Sequence, residues 1–194
     1  MITNKALHEI AEKTIVAGDF VLDDFYSPAE VFAGLVTSIV QYRDTDSLPR
    51  KVRRISPLGP MEMARSEPAI ARVTVDQVTI LAQEAKDYLS GNGSLPSNLT
   101  VGNNQIGTGS LFALFCTVYL DICSGRIASE YPVVSFDAYP KTNEKAIIDE
   151  IRGYKSWPVH RPDLDMSKII EKTRLQLWTL KPAQPQRKRI LNIE

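Results

Sequence analysis

Two helix starts of the same design stand 47 residues apart, and they constrain this chain more than any other feature. Ser27-Pro28-Ala29-Glu30 supplies a serine that can accept a hydrogen bond from a free backbone amide and a proline with no amide to leave unpaired. Its glutamate can reach back to the cap. Thr74-Val75-Asp76-Gln77 repeats that logic with threonine and glutamine. Each start precedes an apolar stripe at helical spacing: Val31, Phe32, Leu35, Val36, Ile39 and Val40 in one, Val78, Leu81, Ala82, Ala85, Tyr88 and Leu89 in the other. Each stripe leads at the same distance into Ser-Leu-Pro, at 47–49 and at 94–96, and then into a short extended piece in which Val52 falls on Leu99. The proline ends the helix and holds the chain extended, so that the leucine can tuck beneath the helix end. The pattern predicts a structural duplication, and a period near 47 suits paired-helix repeats.

The rest of the chain fits around these units. Leu7, Ile10, Ala11 and Thr14 predict a helix over residues 4–17, with Gly18 as its stop. In the connector that follows, Phe20 and Phe25 are expected to pack inward. Residues 56–68, with three prolines and a glycine, read as a loop. Gly91 is the expected stop of the second-unit helix. Residues 99–101 and 105–106 flank Gly102-Asn103-Asn104 and predict a small hairpin. Thr108 or Ser110 then caps a helix to about Ser124 that is apolar on most sides, and this is the expected central core element. It has no clear counterpart in the first unit. Beyond Gly125, residues 131–136 suggest a strand. A helix capped by Thr142 should bury Ala146, Ile147 and Ile151 and stop at Gly153. A last helix from Ser167 to about Leu180 should bury some of Ile169, Ile170, Leu175, Leu177 and Trp178.

The fold class is therefore mainly α: a small helical domain of about six helices with short β elements, built on two helix–turn–(Leu-Pro)–strand units. The expected divisions are an N-terminal helix and connector over 1–26, a first unit and linker over 27–68 and a second unit over 69–125. A C-terminal helical extension over 126–182 and a tail over 183–194 complete the chain.

The second unit carries Tyr88, Asn92-Gly93, Leu95-Pro96, Leu99-Thr100-Val101 and the apolar helix from Leu111. In these residues it resembles the pseudomurein-binding repeat, a short module of methanogenic archaea that commonly occurs in tandem. The match runs from Thr74 to about Leu120 and, more loosely, from Ser27 to Arg54. The first unit has Thr45-Asp46 where Asn-Gly is expected and Arg50-Lys51-Val52-Arg53 where a neutral strand is expected. Residues 126–194 fall outside the resemblance. It implies a non-catalytic module that attaches to the peptide-linked glycan of an archaeal cell wall.

Charge excludes one class of partner. Lys and Arg together number 23, as do Asp and Glu, so the basic excess of a protein built to hold nucleic acid is missing. No apolar run reaches the ~18 residues of a membrane span. The N-terminus does not read as a secretory signal, so a cytoplasmic location is the default, and a cell-wall location applies if the chain is a piece of an exported protein.

Catalytic chemistry finds little purchase. Cys116, His160 and Asp163 occur in the order of cysteine-peptidase and transglutaminase-like enzymes. However, a nucleophilic thiol needs a cationic neighbour or an exposed helix N-terminus, and Cys116 lies mid-helix among Leu114, Phe115 and Val118. Cys123 is seven residues on, about 10 Å along a helix, which is too far for a disulfide within it. His8 and His160 have no partner at a metal-ligand spacing, so no metal or other cofactor is expected. The candidate ligand-binding residues are instead Tyr131, Tyr139, Tyr154, Trp157 and His160. Amphipathic rings with polar edges suit sugar or peptide faces, although aromatics are so often buried that sealing the core is the favoured reading of these rings. The leading functional expectation is a binding module for a cell-wall glycan/peptide polymer or a protein partner. A scaffold or subunit of a larger intracellular assembly comes second, and a Cys-His hydrolase third.

Overall fold

A computed structural model of the chain describes residues 1–63, 70–141, 144–153 and 167–182. The long helices are set by their ends. Helix α1 (Asn4–Ala17) starts where the Thr3 hydroxyl accepts the Ala6 amide at 3.2 Å and stops at Gly18, whose left-handed φ of 62° suits glycine. Helix α2 (Pro28–Thr45) opens with the full reciprocal box: Ser27 Oγ accepts the Glu30 amide, and Glu30 accepts the Ser27 amide. It ends at Asp46, the one non-glycine with positive φ among the described residues. Helix α3 (Val75–Asn92) has the same box, made by Thr74 and Gln77, and ends at Gly93. Helix α4 (Thr108–Ser124) ends at Gly125. Helices α5 (Glu144–Gly153) and α6 (Ser167–Gln176) follow, and Leu177–Thr179 extends α6 as a 3-10 turn. The fold is mainly α with short β elements.

Three antiparallel strand pairs tie the helices together. Strand β1 (Ile2–Thr3) pairs with β2 (Lys51–Val52), β3 (Arg72–Thr74) with β6 (Glu130–Pro132), and β4 (Asn98–Val101) with β5 (Asn104–Gly107). Strands β1, β3 and β5 each run directly into a helix, α1, α3 and α4 respectively.

Helix α4 is the core element. Its residues from Thr108 to Cys116 are all buried, and it packs on α1 and on α2, which in turn packs on α3. Six rings, Phe20, Phe32, Phe112, Phe115, Phe136 and Trp178, join the connector, α2, α4 and the C-terminal segment. Phe20 stacks on Phe112 at 5.5 Å, and Trp178 stands edge-on to both Phe20 and Phe112. The Trp178 indole N–H donates to the Ala138 carbonyl at 2.9 Å, so this buried ring keeps its polar edge satisfied.

Several local expectations are corrected. Phe25 is 62% exposed, because the Asp23 carboxylate accepts both the Phe25 and Tyr26 amides in a tight turn that sends the ring outward. The N-cap of α4 is Gly107, with no side-chain cap; the Thr108 hydroxyl donates instead to the carbonyls of Pro96 and Ser97. Helix α3 passes through Gly91 and stops at Gly93. Among the residues of α5 whose burial is described, Ile148 is buried, Ile147 is half-buried and Ala146 is exposed; the burial of Ile151 lies outside them. Ile169 is exposed on α6, whereas Leu175, Leu177 and Trp178 are buried. The strand expected over 131–136 is limited to Glu130–Pro132. Thr142 lies outside the described residues.

A shift of 47 carries the cap of α2 onto that of α3, Asp46 onto Gly93, and β2 onto the start of β4. The strand partners match in turn. Val52 faces Ile2 as Leu99 faces Ile106, and Lys51 faces Thr3 as Asn98 faces Gly107. Thr3 caps α1 and Gly107 caps α4, so α1 stands to the first helix–strand pair as α4 stands to the second, although it precedes that pair in the chain. The Asn4 amide donates to Arg50 O at 3.1 Å and the Thr108 amide to Ser97 O at 3.2 Å, the same bond in both places. Leu7, Ile10, Ala11 and Thr14 are buried on α1, as are Leu111, Leu114, Phe115 and Val118 on α4.

Candidate functional site

The ends of α2 and α3 differ in what covers them. At the end of α3, the loop lies across the helix terminus. The Leu58 amide donates to Gly93 O at 2.9 Å and the Leu95 amide to Leu58 O at 3.0 Å, a single parallel bridge. Ser94, Leu95 and Pro96 are buried beneath it. At the end of α2, among the described residues, nothing bonds to the Asp46 carbonyl or the Leu48 amide. Ser47 is exposed there, and Leu48 and Pro49 are half-buried. The result is an open notch of about 390 Å³.

Three helices build the notch. The first turns of α1 supply Asn4, Lys5 and His8. The end of α2 supplies Tyr42 and the Asp46-Ser47-Leu48 corner, and the end of α4 supplies Ile122 and Cys123. In the other half, Gly109 and Phe112 occupy the positions matching Lys5 and His8. They are covered by the chain: a Cβ on Gly109 would stand 1.9 Å from the Asp137 carbonyl oxygen, and Phe112 is stacked in the ring cluster. The polar edge of the notch is organised. A hydrogen bond to the Asp46 carboxylate raises the Tyr42 hydroxyl above its ordinary pKa, with burial and the same negative charge adding to the effect. Burial raises the Cys123 thiol, and a hydrogen bond with Tyr119 partly offsets this. The Tyr119 hydroxyl bonds the Asn4 side chain and fixes it at the rim. The notch thus offers one backbone donor, one backbone acceptor and a mixed floor. It suits binding by hydrogen bonds and apolar contact.

A second polar cluster is closed. The Glu30 carboxylate is 1% exposed and accepts Arg54 Nε at 2.9 Å, Arg54 Nη2 and Lys181 Nζ at 3.0 Å, the Ser56 hydroxyl and the Ser27 amide. Burial alone would raise its pKa. The bonds from Arg54, Ser56, Lys181 and Ser27 outweigh that and lower it to about 2. Its oxygens are occupied by the chain itself, so this cluster pins α2 to residues 54–56 and to Lys181.

The residues singled out from sequence lie elsewhere. Tyr131 is 2% exposed in β6, with its hydroxyl accepting the Ala128 amide at 3.1 Å, so its ring packs in the core. Tyr139 is half-buried near Glu144. Tyr154, Trp157 and His160 lie outside the described residues. Cys116 is fully buried, and burial drives its thiol far above the ordinary range. Among the described residues no group of three or more His, Cys, Asp or Glu could hold a metal ion, and no helix is long and apolar enough to cross a membrane. No family model matches the chain, and neither a curated protein nor a solved structure does.

Proposed function

We propose that the chain is a non-catalytic binding module, and that the open notch at the end of α2 is its binding site. The observation that carries this reading is the contrast between the two helix ends. One is sealed by the chain's own loop, while the other, among the described residues, leaves the Asp46 carbonyl and the Leu48 amide unbonded in a corner that lines a cavity of about 390 Å³. The resemblance of residues 74–120 to the pseudomurein-binding repeat names the ligand in this proposal as the peptide-linked glycan of an archaeal wall. The buried Cys116 supports a non-catalytic role, because a thiol held protonated in an apolar helix is a poor nucleophile. Purified protein should co-sediment with pseudomurein sacculi at low salt. Protein that stays wholly in the supernatant refutes the wall-polymer ligand.

A second reading, a subunit of a larger assembly, is favoured by a different surface. Ile55, Leu58, Met61 and Met63 are all exposed within nine residues of one another. Such clustered apolar side chains suit a protein partner. Size-exclusion chromatography of natively purified material should then show a complex larger than the 21.7 kDa chain, and a persistent monomer refutes this reading.

A further inference from the structure

We infer that the notch at the end of α2 docks an extended peptide segment of a partner protein, held by a single parallel bridge to the Asp46 carbonyl and the Leu48 amide. The occupant's chemistry is displayed by the chain itself at the matching place. There, Ser56-Pro57-Leu58-Gly59-Pro60 passes the end of α3, and Leu58 exchanges both of its main-chain groups with Gly93 and Leu95. Pro57 and Gly59 are buried against the protein, while the Leu58 side chain points away and is 54% exposed. The recognised features are therefore an unpaired N–H and C=O on one residue and compact residues on either side of it. This is strand addition reduced to one rung.

The first half has the receiving groups and, among the described residues, no occupant. Asp46 holds a left-handed φ of 52° where Gly93 has 67°, so the two helices turn out of their last turn in the same way and aim the following amide alike. Ser47 is exposed and Leu48 and Pro49 are half-buried, where the matching Ser94, Leu95 and Pro96 are buried. In the second half Asp137 and Phe20 cover Gly109 and Phe112; the matching Lys5 and His8 instead line the open notch together with Ile122 and Cys123 of α4, which leaves room for an occupant. An unpaired amide and carbonyl beside a cavity of mixed lining gain most from a ligand that satisfies both together, and an extended main chain does so.

The inference rests on the binding-module reading of the same notch but not on the wall polymer. Sacculi can fail to retain the protein while a peptide still binds. The test uses the full chain, labelled with ¹⁵N, and an end-capped synthetic peptide of residues 54–62, Arg-Ile-Ser-Pro-Leu-Gly-Pro-Met-Glu. Titration into the millimolar range should shift the amides of Lys5, His8, Asp46, Ser47, Leu48 and Cys123. The Leu48 amide should move downfield as it gains an acceptor. The same peptide N-methylated at its leucine cannot donate to Asp46 and should bind about five-fold more weakly, the equivalent of one hydrogen bond. Because this change lies in the peptide, it leaves the protein fold untouched. The proposal is overturned by shifts centred on Gly93 to Leu95, by equal binding of the methylated peptide, or by no shift at all. It is also overturned if the same amides shift with protein concentration alone, which would make a second copy of the chain the occupant.

Discussion

Replacing Glu30 by glutamine isolates one charge in a frame that already tolerates the amide. Gln77 makes the same capping contact at the start of α3, its side-chain oxygen accepting the Thr74 amide at 2.9 Å. Glu30→Gln therefore keeps the cap of α2 and removes only the negative charge facing Arg54 and Lys181. The Glu30 carboxyl is lowered from 4.5 to about 2 in the folded protein. A folded pKa below the unfolded one means that the ionised group favours folding above pH 4.5, and that this stability is lost as the pH falls toward 2. The full depression corresponds to about 3 kcal/mol at neutral pH, of which about 2 kcal/mol is gone by pH 3. Urea denaturation of both proteins, followed by tryptophan fluorescence, measures the difference between them at each pH. The wild type should exceed Glu30→Gln by about 3 kcal/mol at pH 7 and by only about 1 kcal/mol at pH 3. Other carboxylates titrate equally in both proteins and cancel. A difference that stays constant from pH 7 to pH 3 refutes the assignment of this cluster as a charge-dependent lock.

Two further outcomes follow from burial. The Thr14 hydroxyl is buried on α1 without a hydrogen-bond partner among the described residues, and the matching position on α4 is Val118. Thr14→Val should therefore stabilise the protein by up to ~1 kcal/mol, read as a higher urea midpoint with an unchanged slope; a loss of stability contradicts the unpaired hydroxyl. Iodoacetamide at neutral pH should modify Cys123 slowly and leave Cys116 unmodified until denaturant is added, as peptide mass mapping would show; rapid labelling of Cys116 in the folded protein would revive a nucleophilic role.

The helix ends were the most legible part of the sequence, because a cap is a local bargain between a side chain and a neighbouring amide. Ser27-Glu30, Thr74-Gln77, Gly18 and Gly125 could all be placed from residue type alone. The cap of α4 was not legible, since the competing partners of Thr108 are the carbonyls of Pro96 and Ser97, twelve and eleven residues away. Strands of two or three residues carry no periodicity, so the pairings of β1 with β2 and β3 with β6 left no signal. The candidate site was missed for a related reason. His8, Asp46 and Cys123 come from three distant helices, and each looks ordinary in its own stretch. The available clue was Asp46 itself: aligned on Gly93, it marks a helix end that must turn left-handed without glycine.

The order in which strands meet bears on how the chain folds. Seven positions separate Leu99 from its partner Ile106, whereas 50 separate Ile2 from Val52. Closing the longer loop costs about 2 kcal/mol more in chain entropy. The hairpin between α3 and α4 can therefore nucleate from contiguous sequence, while β1 must wait for α2 and β2 before it has anything to pair with. Pulsed hydrogen exchange during refolding should protect the amides of β4 and β5 before those of Ile2 and Thr3; simultaneous protection would refute this sequence of events. The N-terminal strand and α1 would then arrive after the hairpin, and with them the wall of the notch that carries Lys5 and His8.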